Sequence, residues 1–327
     1  MHPKLGFFTN FLSENKRKRV KLDFQKTIAT SQATLPVSCA IAIVVWYLCH
    51  RHDFLHTDLL MGMGASVVAV YLLAELNNQN ALIRVGSRII SSIFALLLAI
   101  VFQLHTFQTG HIVLLLVLLS LFSFTSLYQN PSPVHSFLAY LFFSLATFAF
   151  PKLWLFVPIW WFSQFYMRGL TLRTFVASCL GLVVPYWFYF SALFCLDDYE
   201  AIQGFYHEMA DFHWPSLSDI TVEKLVQIAY LLLLLSVGIV EVLLNQHKDK
   251  VRVRILYGMF MTHAFLIVLF LCLQPQYFYN LLPLLMVYAA ILSGHFMALT
   301  STKASHILCL VLMGLALAVL ALSYIAG

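Results

Sequence analysis

The sequence predicts an all-α, polytopic bundle of about eleven transmembrane helices, with a cytoplasmic N-terminus and a periplasmic C-terminus. Three observations predict it. Hydrophobic residues make up 61% of the 327 and charged residues 10%, whereas a soluble domain carries about 25% charge to keep its surface solvated. The apolar residues gather into eleven runs, several near the roughly 20 residues that cross a hydrocarbon core of about 30 Å. The basic residues alternate from loop to loop. Of 19 Lys and Arg, Arg51, Lys152 and Lys224 fall outside on an eleven-span reading and the other sixteen inside, the bias that orients helices in a membrane.

Residues 1–30 read as a basic amphipathic arm in the cytoplasm. Phe7, Phe8, Phe11 and Leu12 precede Lys16-Arg17-Lys18-Arg19, a pattern for lying in the lipid interface. The net charge of +5 does not imply nucleic acid, because six basic residues lie between Lys16 and Lys26, beside the first apolar run. There they match anionic headgroups. No small-residue cleavage site closes that run, so no cleavable signal is expected.

The transmembrane domain, residues 31–327, holds apolar runs near 33–50, 58–76, 89–107, 111–128, 134–150, 153–167, 174–196, 224–244, 254–273, 279–299 and 304–325. Links as short as Phe150-Pro151-Lys152 force antiparallel neighbours, since three residues cannot recross a bilayer. Pro36, Pro158, Pro185 and Pro283 fall within runs, where proline bends a helix; Gly181 to Pro185 is the expected bend. The six cysteines match no zinc or redox spacing and are expected to pack within the bundle. Cys49, Cys195 and Cys272 share the outer side, so a disulfide among them stays open.

One outer loop is long, 196–223, and it carries seven of the fourteen acids. Within it Tyr199, Ile202, Phe205, Tyr206, Met209 and Phe212 recur every three or four residues, predicting an amphipathic helix along the surface. Pro215 should end it, and Ser218 or Asp219 should cap the next helix. Trp46, Trp154, Trp187 and Trp214, with Tyr186, Tyr189, Tyr277 and Tyr279, gather at the outer boundary, as an interfacial aromatic belt does.

Charge at mid-bilayer marks function by default, and no run carries one there. Glu75 and Glu241 lie near inner ends. The inner turn from Glu75 to Arg88 is polar and reads first as a topogenic turn rich in loop-forming residues; the functional alternative is that Glu75 pairs with Arg84 or Arg88, or that those arginines hold a lipid phosphate. Asp197, Asp198 and Glu200 form a cluster whose oxygens suit a divalent cation, although a solvated acidic loop accounts for them as well. His263, His295 and His306 stand singly and read as packing residues.

Glu75-Leu-Asn-Asn, Leu82-Ile-Arg84, Ser87-Arg88, the turn Arg168-Gly-Leu-Thr-Leu-Arg173 and Gly181-Leu-Val-Val-Pro185 resemble an uncharacterised family of polytopic integral membrane proteins from Bacteroidetes. The resemblance covers residues 60–200 and implies no activity. The architecture is also similar to lipid-linked glycosyltransferases of the GT-C class, which place a catalytic carboxylate in the first outer loop. Asp53 stands at that place, but here the loop is short where that class has a long one.

Three functional readings follow. The first is a non-catalytic scaffold or assembly subunit of the cell envelope in the bacterial inner membrane, with membrane lipids and an envelope protein as partners. The second is a polyprenyl-phosphate glycosyl or phosphoryl transferase at the outer leaflet. It would use Asp53, Asp197 and Asp198 as catalytic carboxylates, with a divalent cation as cofactor. The third is a transporter or lipid flippase, which requires a polar central path.

Overall fold

The computed structural model of the chain describes residues 27, 29–51, 56–84, 86–212, 220–300 and 302–326. Among them are twelve α-helices and no strand. They are α1 Thr34–Cys49, α2 Thr57–Asn80, α3 Ile89–Ile100, α4 Thr109–Thr125, α5 Pro133–Ala149, α6 Val157–Tyr166, α7 Leu172–Cys195, α8 Tyr199–Ala210, α9 Val222–Asn245, α10 Val251–Leu273, α11 Phe278–Leu299 and α12 Lys303–Ala326. Each apolar run of the sequence holds one helix, and α8 is the helix expected in the long loop. Six helices are long and apolar enough to cross a membrane: α2, α7, α9, α10, α11 and α12. Most of the basic arm lies outside the described residues, as do Pro215, Ser218 and Asp219.

Helix boundaries follow local chemistry. Thr171 and Thr174 form a reciprocal capping box at the start of α7, and Ser132 and Thr221 accept from backbone amides to open α5 and α9. Such caps satisfy amides that have no partner within the helix. Ala81 ends α2 in the left-handed region with φ 48°, which turns the chain sharply into the Arg84 loop. Two runs are shorter as α-helix than their apolar length suggests. Pro151 and Pro158 divide the sixth run into a 3₁₀ segment, Pro151–Phe156, followed by α6, because proline lacks the amide a continuous helix needs. The third run leaves α-helix at Val101, whose backbone is extended, and continues as a 3₁₀ turn, Phe102–Leu104.

The core is built around α11. Every residue from Leu281 to Phe296 is buried, and the helix packs against α3, α4, α9 and α10. A helix apolar on all sides belongs at the centre of a bundle. In α12, by contrast, 17% of the most apolar stretch is buried, against 94% in α11, so α12 sits at the periphery. Small residues permit the close approaches. Gly110 faces the Tyr279 carbonyl, Gly238 faces Leu292, and Gly294 faces Ile90.

Two sets of polar contacts mark the two ends of the bundle. At one end the close of α2 meets the close of α4 and the start of α10, through Asn80, Thr125 and Arg252. At the other, His50 beyond α1 meets His105 beyond α3, and Gln227 near the start of α9 meets Ser323 near the close of α12. Consecutive long helices therefore alternate in direction. The same alternation puts Arg84, Arg88, Arg168, Arg173, Lys248, Lys250, Arg252, Arg254 and Lys303 at the first end. Arg51, Lys152 and Lys224 belong to the second.

A β-carbon on Gly238 would lie 2.5 Å from the Leu292 carbonyl carbon and 2.7 Å from its Cβ. Alanine normally stabilises a helix interior over glycine by about 1 kcal/mol, but here α9 must move off α11. Gly238→Ala is expected to destabilise the protein by about 1–3 kcal/mol, the usual range for overpacking. Gly314→Ala, which meets open space, should be neutral or stabilising. Unfolding of both variants in detergent micelles checks the difference in sign.

Candidate functional site

The densest charged cluster lies at the basic end. The Asp249 side chain, 2% exposed, receives the fully buried His295 Nε2 at 3.1 Å on one oxygen. Arg84 Nε lies 2.8 Å from the other oxygen, close enough for an ion pair but out of line for a hydrogen bond. Arg84 also donates to the Lys248 carbonyl at 3.3 Å. The edge of Tyr257 meets the His295 ring, with centroids 5.0 Å apart.

Three parts of the chain converge here: the turn after α2, the turn before α10, and the last quarter of α11. Asp249 is presented by a 3₁₀ turn, Gln246–Lys248, and its own amide donates to the Gln246 carbonyl. Around it runs a second layer. Arg252 Nη2 donates to Asn80 Oδ1 at 2.8 Å, and Asn80 Nδ2 donates to Thr125 Oγ1 at 3.1 Å. Glu241, buried in α9, accepts from Asn245 at 2.8 Å, and Asn245 accepts from Lys248 at 2.7 Å. His295 Nδ1, Asn77 Oδ1 and Arg252 Nε have no hydrogen-bond partner among the described residues. The chemistry is that of an acid–histidine pair steadied by a guanidinium. It clamps two basic turns to the central helix.

The residues singled out from the sequence are placed differently. Arg84 pairs with Asp249, not with Glu75, and Glu75 is exposed with no ion pair among the described residues. Arg88 is exposed; its carbonyl accepts from the Ser92 hydroxyl. Asp53 lies outside the described residues, as does Trp214. Asp197, Asp198 and Glu200 are exposed. Asp198 caps α8, its Oδ1 accepting from the Ala201 amide at 3.1 Å, and Asp197 turns the chain at φ 55°. Among the described residues no three His, Cys, Asp or Glu side chains are grouped to hold a metal ion, and the six cysteines are free thiols.

At the opposite end α8 lies on α7 and on the Pro151–Phe156 segment. Its half-buried face, Ala201, Ile202, Phe205 and Met209, sets Phe205 among Phe148, Tyr186, Tyr189 and Phe190. His207, Glu208, Ala210 and Asp211 line an open depression of about 480 Å³. Beside it Lys152 is 1% exposed. Its ammonium donates to the Tyr277 hydroxyl and lies 3.8 Å from the Tyr277 ring centre and 5.5 Å from that of Phe212.

No protein-family model matches the chain, and neither a curated protein nor a solved structure does. The fold and its apolar helices define a class, that of all-α bundles with helices suited to a membrane.

Removing one partner of a buried ion pair costs about 3–5 kcal/mol, and Arg84, 34% exposed, puts this pair at the low end. Asp249→Ala is therefore expected to cost about 3 kcal/mol. Adding Arg84→Ala to it should cost less than Arg84→Ala does alone, because the shared ion pair is already lost and only the bond to the Lys248 carbonyl remains to be removed. A double-mutant cycle on unfolding in mixed micelles checks this; additive losses would show that the pair contributes nothing.

Proposed function

We propose that the chain is a multi-pass protein of the bacterial inner membrane, crossing it with eleven helices, α1–α7 and α9–α12. The basic end and the N-terminal arm face the cytoplasm; α8 and the C-terminus face the periplasm. The alternating helix directions and the segregation of basic residues support this topology. Within the membrane the protein acts as a non-catalytic scaffold or assembly subunit, which presents α8 to an envelope partner.

The observation that carries this reading is how the buried polar side chains are used. Ser120 donates to the Ala139 carbonyl, Ser136 to Thr174 and Ser144 to Leu182. Ser163, His263 and Tyr288 join three helices. These groups fasten helix to helix, which suits a static body better than a path for solute. The outward acids of α8, Glu200 and Glu208, are exposed while its apolar face rests on the bundle. The transferase reading keeps one observation in its favour, the depression holding His207, Glu208 and Asp211, side chains suited to acid–base chemistry.

Reporter fusions at residues 210 and 327 should both report the periplasm. In a deletion strain, Glu200→Lys with Glu208→Lys should abolish complementation at normal protein level, whereas Glu208→Gln with Asp211→Asn should retain it. Loss of complementation by the Gln/Asn variant would instead favour the transferase.

A further inference from the structure

The helices α1, α2 and α3 enclose a groove of about 80 Å³. Its lining, which includes Cys39, Ile43, Val67 and Leu98, is apolar but for two groups, the indole of Trp46 and the hydroxyl of Ser66. Trp46 Nε1 and Ser66 Oγ are both buried without a hydrogen-bond partner among the described residues. Ile43 and Val67, by contrast, are 46% and 59% exposed. On the topology proposed above, on which this inference rests, that exposure opens the groove sideways into lipid.

The groove has a direction. Trp46 lies one turn below the close of α1 and Cys39 about 10 Å deeper, at 1.5 Å per residue. Above Trp46 the surroundings become polar. His105, its ring 4.6 Å from that of Trp46, shares a hydrogen bond of 3.1 Å with His50. Polar groups therefore stand at the boundary, and the walls below are apolar but for the Ser66 hydroxyl, with the indole N–H at the transition. That is the polarity profile of a lipid, whose ester carbonyl separates headgroup from tail. An indole nitrogen only donates, so the occupant must bring an acceptor. Among groups that reach a lateral opening at this depth, the ester carbonyl provides one.

We propose that this groove binds one acyl chain of a membrane glycerophospholipid, its ester carbonyl accepting from Trp46 Nε1 and its hydrocarbon lying along Ile43, Val67 and Cys39. The full chain is reconstituted into vesicles of phosphatidylethanolamine and phosphatidylglycerol containing a trace of phospholipid with a diazirine in one acyl chain. Photolabelled residues are then mapped by mass spectrometry. Residues 39–46 and 63–70 should be labelled above the lipid-facing stretch 183–188 of α7, where Val183, Trp187 and Phe188 are exposed. Trp46→Phe keeps an aromatic ring and removes the donor; it should lower groove labelling about two- to tenfold, the worth of one hydrogen bond. Ala42→Leu, which fills the groove from a lining position, should lower it too, and labelling of α7 should hold in both variants. Groove labelling no higher than that of α7, or unchanged in both variants, would overturn the site while leaving the membrane topology standing. Failure of the wild-type protein to float with the vesicles would overturn the topology and the site together.

Discussion

The rest of the structure depends on the close contact of α11 with the helices around it. On the proposed membrane topology the solvent is as apolar as the core, so burying leucine against leucine yields no hydrophobic gain, and association rests on dispersion and on polar clasps. Dispersion falls off steeply with distance, so α11 holds its neighbours only where their backbones can approach. Gly238 and Gly110 give that approach from the outer helices, and Gly294 gives it from α11 itself. α11 adds Ala289, Ala290 and Ser293 on its own surface, all buried. A larger side chain at these places would separate the helices along their length, and the polar contacts at both ends would lose register.

Those polar contacts form the second layer of the design. In an apolar surround an unsatisfied donor or acceptor costs several kcal/mol, so a serine or glutamine that finds a partner on a neighbouring helix ties the two together. Gln164 reaches Ser136 on α5, and Gln227 reaches Ser323 on α12. Each bond is weak singly, but each also sets the axial register of two helices. Charge is confined to the ends, and there it is matched to its setting. Asp249 is buried among cations at the basic end, and Lys152 is buried among aromatic rings at the other.

Most of the architecture was legible in the sequence because its signal is long and redundant. Each apolar run gave a helix, although α3 stops at Ile100 and α6 starts only at Val157, and the three- and four-residue spacing from Tyr199 to Met209 gave α8. The candidate site was far less legible. Asp249 stands in Lys248-Asp249-Lys250, where flanking positive charge makes it look like part of an inner loop, and His295 looks like a lone polar residue in an apolar run. Nothing local joins residues 46 apart; only the packing of the α10 turn against the close of α11 brings them together. Arg84 misled for the same reason. Glu75 was its nearest acid in sequence, but the left-handed turn at Ala81 carries the arginine away from α2 and toward Asp249. Lys152 read as an exception to the charge bias, and its burial could not be seen without α8 folded over it.

The two ends of the bundle thus answer different demands on one rigid body. At the basic end the carboxylate of Asp249 sits between two cationic turns that would otherwise repel one another, so the clamp brings the turns after α2 and before α10 onto the central helix. At the opposite end α8 is held by aromatic contacts and by the Lys152–Phe212 interaction, with no buried residue of its own. An element fastened so lightly to a tightly packed body has a low local opening cost, and surfaces that exchange partners are drawn from such elements. The centre is where glycine contacts leave no slack, and the periphery is where α8 and the groove of α1–α3 leave surface to be filled. Function in this protein is therefore expected at its α8 end and flanks, with the core supplying a fixed geometry.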